Sequence, residues 1–149
     1  GIPQIYYGTE IAMTSTEDHG QLRKDFPGGW PNDRVNAFVD TGLKSNQLEA
    51  KRFLKKLLNW RKNNAAIIKG NMIHYPVRDG VYVYFREYKN DLVMVAMNNN
   101  EKKMRIDPQR FYEVIKDRKS GKNIFNDKIY KLSKKVTIPA KTVTVLEIY

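Results

Sequence analysis

The residues best suited to chemistry form a short run of charged side chains in the first third of the chain. Asp18, Arg23 and Asp25 lie within eight consecutive positions, and Glu10 precedes them at the end of an apolar run. The charged fork of an arginine suits paired hydroxyl groups, and a carboxylate can accept hydrogen bonds from two of them. Their types and spacing alone assign them no role.

Other familiar catalytic and metal-binding patterns are missing from the sequence. His19 and His74 are far apart and have no cysteine or histidine partner at ligand spacing, so they predict no metal site. The chain has no cysteine, which excludes disulfides and thiolate metal sites. It also has no glycine-rich phosphate loop and no serine nucleophile motif. Neither a metal nor a cofactor is therefore expected.

The elements that carry the charged run are a short apolar segment and a long polar one. The apolar run Ile2–Ile11 is interrupted by Pro3 and Gly8, which favours a buried strand over a helix. Residues 13–45 are polar, and loops of this length are usually functional or disordered. Two large aromatic residues in the segment Phe26–Pro31 favour an ordered, packed loop.

Residues 46–64 carry the clearest helical pattern. Asn46 followed by Glu49 resembles a capping box, in which side-chain oxygens cover free backbone amides of the first turn. Asn63 and Asn64 end the pattern. The apolar residues recur at three- and four-residue spacing, which predicts one apolar stripe that packs on another element; they are Ala50, Phe53, Leu54, Leu57 and Leu58.

From about residue 71 the apolar period changes to two, as in strands. Asp79-Gly80 lies between strand-like runs and is typical of a two-residue hairpin turn. Several short strands without intervening helices predict an antiparallel sandwich. The predicted strands are Val81–Phe85, Leu92–Met97, Phe111–Ile115, Ile129–Leu132, Val136–Ile138 and Thr142–Ile148.

The formal net charge is +11, which on charge alone admits nucleic-acid binding. The basic residues are scattered, however, and no nucleic-acid motif accompanies them, so a solvated basic surface is the favoured interpretation. No apolar run approaches the roughly 18 residues that a membrane span needs. The opening Gly1-Ile2-Pro3 has neither an initiator Met nor a basic region, and we expect a trimmed chain.

Several stretches resemble the end of α-amylase-family glycoside hydrolases. Gly1–Glu10 is similar to the eighth barrel strand of that family, written G-x-P-x-x-Y-Y-G-x-E. The segment Leu58–Gly70 resembles its last barrel helix and exit. The runs VYVYFREYKNDLVMVAMN and IPAKTVTVLEIY resemble the start and the last strand of its C-terminal β domain. Asp25–Trp30 further resembles the neopullulanase and cyclomaltodextrinase-like branch.

The resemblance implies a retaining hydrolase of α-glucans such as starch, pullulan or cyclomaltodextrins. That chemistry needs a nucleophilic and an acid/base carboxyl group roughly 5 Å apart across the glycosidic bond. In the family both lie on middle barrel strands, and a third Asp follows strand seven. All three would precede Gly1, so no catalytic residue is assigned here and the chain is expected to be inactive by itself.

The resemblance also implies sugar contacts in the loop after the eighth strand, at the end of the barrel where this fold places its sites. Asp18 and Arg23 occupy places comparable to a substrate-binding Asp and Arg of the family. The spacing departs by about one residue, and Asp25 competes with Asp18 for this role. Glu10 could line the cleft or be a buried partner, and Trp30 could stack on a glucose face or anchor its own loop.

The predicted fold is therefore mostly β. Residues 1–69 would be the last strand-loop-helix unit of a (β/α)8 barrel, and residues 70–149 an antiparallel β-sandwich. The expected partners are the remainder of the barrel, an α-glucan or maltodextrin, and a second copy of the chain that covers exposed apolar surface. No nucleic acid or membrane partner is expected. The resemblance allows an extracytoplasmic or cytoplasmic protein and favours the periplasm.

Two other functions compete with this interpretation. A carbohydrate-binding module without catalysis would be retained on starch and released by maltose. A basic nucleic-acid-binding β protein would bind arbitrary DNA in a salt-sensitive way, and only the charge favours it.

Overall fold

A computed structural model describes residues 4–15, 18–20 and 23–149. The chain divides into two compact units, Gly1–Leu58 and Asn59–Tyr149. The sequence-based division at residue 69 refers to a barrel and stays a prediction. Across the described ranges, no helix is long and apolar enough to cross a membrane.

The strand predicted over Ile2–Ile11 is wrong for the described part of that run. Residues 4–6 have no regular structure, a turn follows, and Thr9–Ile11 form a 3-10 helix. Ile2 and Pro3 lie outside the described residues. A strand needs a neighbouring backbone to satisfy its N–H and C=O groups. No strand among the described residues pairs with this run, so it turns instead.

The predicted long loop is confirmed where the structure describes it. Residues 23–44 hold no α-helix and only one isolated antiparallel bridge, in which Asn36 and Thr41 exchange backbone hydrogen bonds of 2.8 and 3.0 Å. Asp40 lies at the tip of this bridge with a positive φ of 62°. Lys51 ties the tip down, because its ammonium group donates to the Asp40 carboxylate and the Ala37 carbonyl.

The predicted helix is confirmed as α1 (Ser45–Arg61). Its cap differs from the prediction. The helix begins one residue earlier than predicted, and the Lys44 backbone N–H donates to Gln47 Oε1 at 3.0 Å. Gln47 thus covers the first free amide, while Asn46 and Glu49 lie inside the first turns. A short helix, α2 (Ala65–Lys69), follows, and Asn64 caps it by accepting from the Ile67 N–H at 3.1 Å.

The second unit contains two antiparallel sheets. The larger has six strands in the spatial order β1-β2-β3-β8-β5-β6, and the smaller pairs β4 with β7. The strands are β1 (Asn71–His74), β2 (Val81–Tyr88), β3 (Asp91–Asn98), β4 (Met104–Ile106), β5 (Ser120–Asn123), β6 (Ile129–Lys131), β7 (Val136–Ile138) and β8 (Thr142–Ile148). The predicted antiparallel β fold is confirmed.

The turn at Asp79-Gly80 is the two-residue hairpin turn that the sequence predicts. Both residues have positive φ, 51° and 69°, and Arg78 and Val81 exchange backbone hydrogen bonds of 3.1 and 2.9 Å across it. Asn100 Nδ2 holds the turn from outside by donating to the Asp79 carbonyl at 2.8 Å. A side chain at Gly80 would collide with Asn100, since an added Cβ lies 2.6 Å from Asn100 Nδ2.

The strand predicted at Phe111–Ile115 is wrong. Pro108–Phe111 form a 3-10 helix, and Tyr112–Ile115 form the short helix α3. Asp107 caps the start by accepting from the Gln109 N–H at 3.0 Å, and Pro108 occupies the first turn. This capping arrangement outweighs the β propensity of Phe, Tyr, Val and Ile, because it satisfies free amides at the helix start.

The core of the second unit lies between the two sheets and under the short helices. It joins alternating residues of β2, β3 and β8 with Phe111, Val136 and Ile138. Phe85, Met94 and Leu146 are all 0% exposed. On the other face of the large sheet, Val93 and Val95 are buried as well. There Glu147 accepts from Trp60 Nε1 at 2.6 Å and from Asn64 Nδ2 at 3.2 Å, which holds the residues around α2 in place.

Candidate functional site

The loop that carries Trp30 is held in shape by hydrogen bonds to the carboxylate of Asp33. Asp33 Oδ2 accepts from the Gly28 N–H at 2.8 Å and from the Trp30 N–H at 3.2 Å. Gly28 has a φ of +99°, and an added Cβ would lie 2.5 Å from Asn36 Oδ1, so only glycine suits this turn. The loop is ordered by hydrogen bonds from within its own sequence, which confirms the prediction of an ordered loop.

The indole of Trp30 is held by its nitrogen and open on its ring. Trp30 Nε1 donates to Asp25 Oδ2 at 3.0 Å, while the residue remains 64% exposed. Phe26, in the same segment, packs edge-on against Phe38, with ring centroids 5.2 Å apart. An indole fixed at its edge and exposed on its face can stack on an apolar ligand surface.

A shallow cleft of about 310 Å³ borders this indole. It brings the two carboxylates together with an arginine beside an aromatic ring, a set that can hold a polyhydroxyl ligand through hydrogen bonds and stacking. The lining residues are Asp25, Phe26, Pro27, Trp30, Asp33, Arg34 and Val35.

Arg23 and Asp18 are both exposed, and no salt bridge joins them in the part of the chain that the structure describes. The Arg23 backbone N–H donates to the Gly20 carbonyl at 3.3 Å. The intervening Gln21 and Leu22 lie outside the described residues. Arg23 lies two positions before Asp25 in the chain, and the charges of both residues act on the Tyr7 phenol. Neither Arg23 nor Asp18 lines the cleft beside Trp30.

The Tyr7 phenol links this loop to the start of the chain. Its hydroxyl donates to the Lys24 carbonyl at 3.1 Å. Desolvation raises the pKa of Tyr7, Tyr6 and the Asp25 charge raise it further, and the Arg23 charge lowers it. The raised pKa therefore extends the range in which the phenol keeps its donor proton further into alkaline pH.

Glu10 lies in the 3-10 helix Thr9–Ile11, and its Oε2 is buried without a hydrogen-bond partner among the residues that the structure describes. Of the two roles weighed from the sequence, this burial favours the buried partner over the cleft wall. Among the described residues, no group of three or more His, Asp or Glu side chains could hold a metal ion.

Two positions in this region were missed by sequence reasoning. Asp33 organises the loop, and Arg34 lines the cleft. The signal for Asp33 was present, since an Asp three residues after a Gly-Gly-Trp turn can accept from the turn amides. Arg34 offers no local signal, because its place beside the indole depends on the path of the loop.

Comparison with known proteins identifies the chain's second unit. Residues 72–147 match the model of the cyclomaltodextrinase C-terminal domain. The chain belongs to this family. The match begins in β1 and ends in β8, so it covers the antiparallel sheets, and the Trp30 loop lies outside it.

Curated relatives of this cyclomaltodextrinase C-terminal domain are larger enzymes. A cyclomaltodextrin glucanotransferase of Geobacillus stearothermophilus is 32% identical over 102 residues, which cover 67% of this chain and 12% of that protein. An α-amylase of Niallia circulans is 33% identical over 102 residues, 67% of this chain and 16% of that protein. The chain thus spans less than a fifth of the length of either relative.

A solved structure shares the fold. The α-amylase of Geobacillus thermoleovorans, crystallised with acarbose, aligns with a TM-score of 0.70 and 21% identity, over 100% of this chain and 30% of that one. The family match and the two relatives, together with this shared fold, confirm the resemblance to the end of α-amylase-family enzymes.

Proposed function

We propose that this chain is the C-terminal part of a retaining α-glucan-active enzyme of the α-amylase family, in the neopullulanase and cyclomaltodextrinase-like branch. The match of residues 72–147 to the cyclomaltodextrinase C-terminal domain carries this proposal. The small share of each relative that the chain covers supports a catalytic barrel outside these residues. Starch, maltodextrins, pullulan and cyclomaltodextrins are the substrate class.

In this proposal the chain itself is catalytically silent. A retaining mechanism needs a nucleophile and an acid/base held roughly 5 Å apart on a rigid frame. Several carboxylates of the first unit instead accept hydrogen bonds within the loops. Asp33 accepts from turn amides, Asp25 from the Trp30 indole, and Asp40 from Lys51. Carboxylates engaged in this way hold the loops in shape, which is a structural role.

Silence is tested by incubating the purified chain with maltoheptaose, pullulan and β-cyclodextrin. We expect no more reducing ends than a heat-killed control releases. Turnover that copurifies with the chain through two unrelated columns would contradict the proposal.

The proposed contribution of the first unit is sugar binding by Arg23, with Asp18 as a second contact and Trp30 as a stacking face. The exposed guanidinium of Arg23 and the exposed indole of Trp30 support it. An arginine fork can donate to two neighbouring hydroxyl groups at once. Glu10, whose Oε2 is buried, is proposed as a buried residue of the first unit and not as a sugar contact.

In the complete enzyme, Arg23→Ala should lower kcat/KM at least tenfold, which corresponds to about 1.4 kcal/mol of transition-state stabilisation. Arg52→Ala is the matched control, because Arg52 is an exposed arginine on α1 outside the loop. Equal kinetics of the two variants would assign Arg23 to a structural role.

A second candidate is a carbohydrate-binding unit without any catalytic partner, and the exposed indole of Trp30 is the observation that favours it. Retention of the isolated chain on a starch column, reversed by maltose and lost in Trp30→Ala, would support this candidate. Passage through the column at the speed of the Trp30→Ala variant would count against it.

A further inference from the structure

A second cleft, of about 320 Å³, lies in the unit Asn59–Tyr149, beside the turn Asp79-Gly80. It is formed where β4 of the small sheet and the 3-10 helix Pro108–Phe111 approach the start of β2. Its size falls within the range of clefts that take small molecules. None of the residues discussed for α-glucan binding lines it.

The floor of this cleft is apolar and rigid. Val81, Val83 and Phe111 contribute to it and are 3%, 2% and 0% exposed, so they belong to the packed core. Met104 and Ile106 of β4 extend the floor as partly buried residues. Because the core fixes these side chains, the cleft keeps its shape without a ligand.

The rim carries an excess of positive charge. The lining includes two carboxylates, those of Asp79 and Asp107, and four cationic side chains, those of Arg78, Arg105, Arg110 and Lys135. Asp107 is engaged, since its Oδ1 accepts from the Gln109 N–H at 3.0 Å. Asp79 Oδ2 lies 3.7 Å from Arg78 Nε, in a pair whose side chains are about 70% exposed. Such exposed pairs are weak, and an anionic ligand can compete with them.

Arg110 is held in position before any ligand binds. Its Nη2 donates to the Pro76 carbonyl at 2.8 Å, and its guanidinium carbon lies 5.4 Å from the centre of the Phe111 ring. A guanidinium fixed in this way loses little side-chain entropy when it binds an anion. Arg105 and Lys135 form no ion pair with any described residue, so both charges are available.

We propose that this cleft, defined by the cationic rim Arg78, Arg105, Arg110 and Lys135 over the floor Val81, Val83 and Phe111, binds a small phosphate monoester. A phosphate group fits guanidinium donors in a bidentate manner and tolerates a lysine as a point charge. The partly buried Met104 and Ile106, which extend this floor, contact the organic part of the ligand, so the monoester binds more tightly than inorganic phosphate. The small volume admits a body of about the size of one sugar ring.

The test is a calorimetric titration of the 149-residue chain at low salt with three probes: glucose 6-phosphate, inorganic phosphate and glucose. We expect glucose 6-phosphate to bind at least about tenfold more tightly than inorganic phosphate, and glucose to give no heat. Equal affinity for the two phosphates would overturn the role of the floor, and with it the assigned ligand class. Binding of glucose with the affinity of its phosphate would overturn the role of the rim.

Charge-removing variants separate this cleft from general attraction to a basic protein. Arg105→Gln and Lys135→Gln each remove one charge at an exposed side chain of the rim, and both should weaken glucose 6-phosphate binding at least about fivefold. Lys69→Gln removes one charge at an exposed position at the end of α2, outside the cleft, and should change the affinity by less than about twofold. A loss of the same size in Lys69→Gln would show nonspecific attraction and overturn the proposal.

The Trp30→Ala variant keeps this inference distinct from the proposed glucan function, on which it does not depend. Loss of starch-column retention in Trp30→Ala concerns the first unit alone and leaves glucose 6-phosphate binding unchanged. Failure of phosphate binding in a chain that still binds starch would reject the cleft without touching the glucan proposal.

Discussion

Residues 59–149 bury a continuous apolar cluster between two sheets, whereas Ile11 and Ala37 are the buried hydrophobic residues among the described positions before Asn59. That earlier stretch is ordered instead by polar contacts, such as those of Asp33 and the Lys51–Asp40 pair. Burial of apolar area is the main source of folding free energy, and hydrogen bonds add less net stability. The β unit should therefore be the stable part of the chain.

The difference also separates two kinds of surface. The β unit presents its basic cleft on a rigid floor, while the first unit presents aromatic residues on loops. Trp30 and Phe38 are 64% and 68% exposed. Binding residues often lie on loops that a rigid scaffold supports. The α-glucan contacts proposed for the first unit would thus depend on the barrel that the family resemblance implies.

The chain provides one tryptophan reporter in each unit, which allows the comparison to be tested. Trp30 belongs to the first unit, and Trp60 to the second, where it donates to Glu147. A Trp30→Phe background leaves Trp60 to report the unfolding of the β unit. A Trp60→Phe background leaves Trp30 to report the loop.

The largest effect is expected from Phe85→Ala in the Trp30→Phe background. Phe85 is 0% exposed and packs edge-on against Phe111, with ring centroids 5.4 Å apart. Removing a buried phenyl ring costs about 3–5 kcal/mol, since the cavity refills only in part. Urea denaturation followed by Trp60 emission measures this loss.

Phe38→Ala is the matched control for that substitution. The same chemical change at a side chain that is 68% exposed should alter the unfolding free energy of the β unit by less than about 0.5 kcal/mol. Comparable losses in the two variants would show that the first unit shares the stability of the second, and the contrast between them would be wrong.

An intermediate, local effect is expected from Asp33→Ala. The substitution removes the acceptor of the Gly28 and Trp30 amides, at a cost of about 1–2 kcal/mol to the loop. Limited proteolysis should cut residues 25–36 faster, while unfolding detected by Trp60 stays unchanged. Asp33→Asn, which keeps a carbonyl acceptor, should be cut at a rate between those of the parent and the alanine variant. Faster unfolding of the β unit in Asp33→Ala would contradict this local role.

Much of the β unit could be read from local sequence. The runs Val136–Ile138 and Thr142–Ile148 and the Asp79-Gly80 turn appear in the structure at the predicted positions, because alternation and turn chemistry act over a few residues. The strand predicted at Phe111–Ile115 was wrong although Asp107-Pro108 already carries a helix-start signal. The β propensity of these residues predicted a strand, but the capping at Asp107 and Pro108 led to a helical start.

The remaining features depend on contacts between distant residues. The run Ile2–Ile11 carries apolar residues of strand type, but a strand forms only beside another one. The basic cleft joins Arg78 to Lys135 across 57 positions, and the pairing of β4 with β7 contributes to it. Single-sequence patterns do not show which short strands pair, so this cleft was not predictable.

The smallest effect concerns pH and the polar contact that closes the Asn36–Thr41 bridge. The hydrogen bond from Lys51 holds the pKa of Asp40 below its ordinary value of 3.8. A carboxyl group with a lowered pKa in the folded state stabilises that state above the unfolded pKa, and this contribution is lost as the pH falls through the folded pKa. In the Trp60→Phe background, Asp40→Asn should therefore destabilise the loop slightly at about pH 6, and the difference should be smaller at about pH 2. Asparagine is the suitable replacement because it tolerates the positive φ of 62° at this position, so backbone strain does not enter the comparison.

Urea titration of Trp30 emission at both pH values measures the difference. A difference of the same size at the two pH values would show that the Asp40 charge, and its bond to Lys51, does not support the loop.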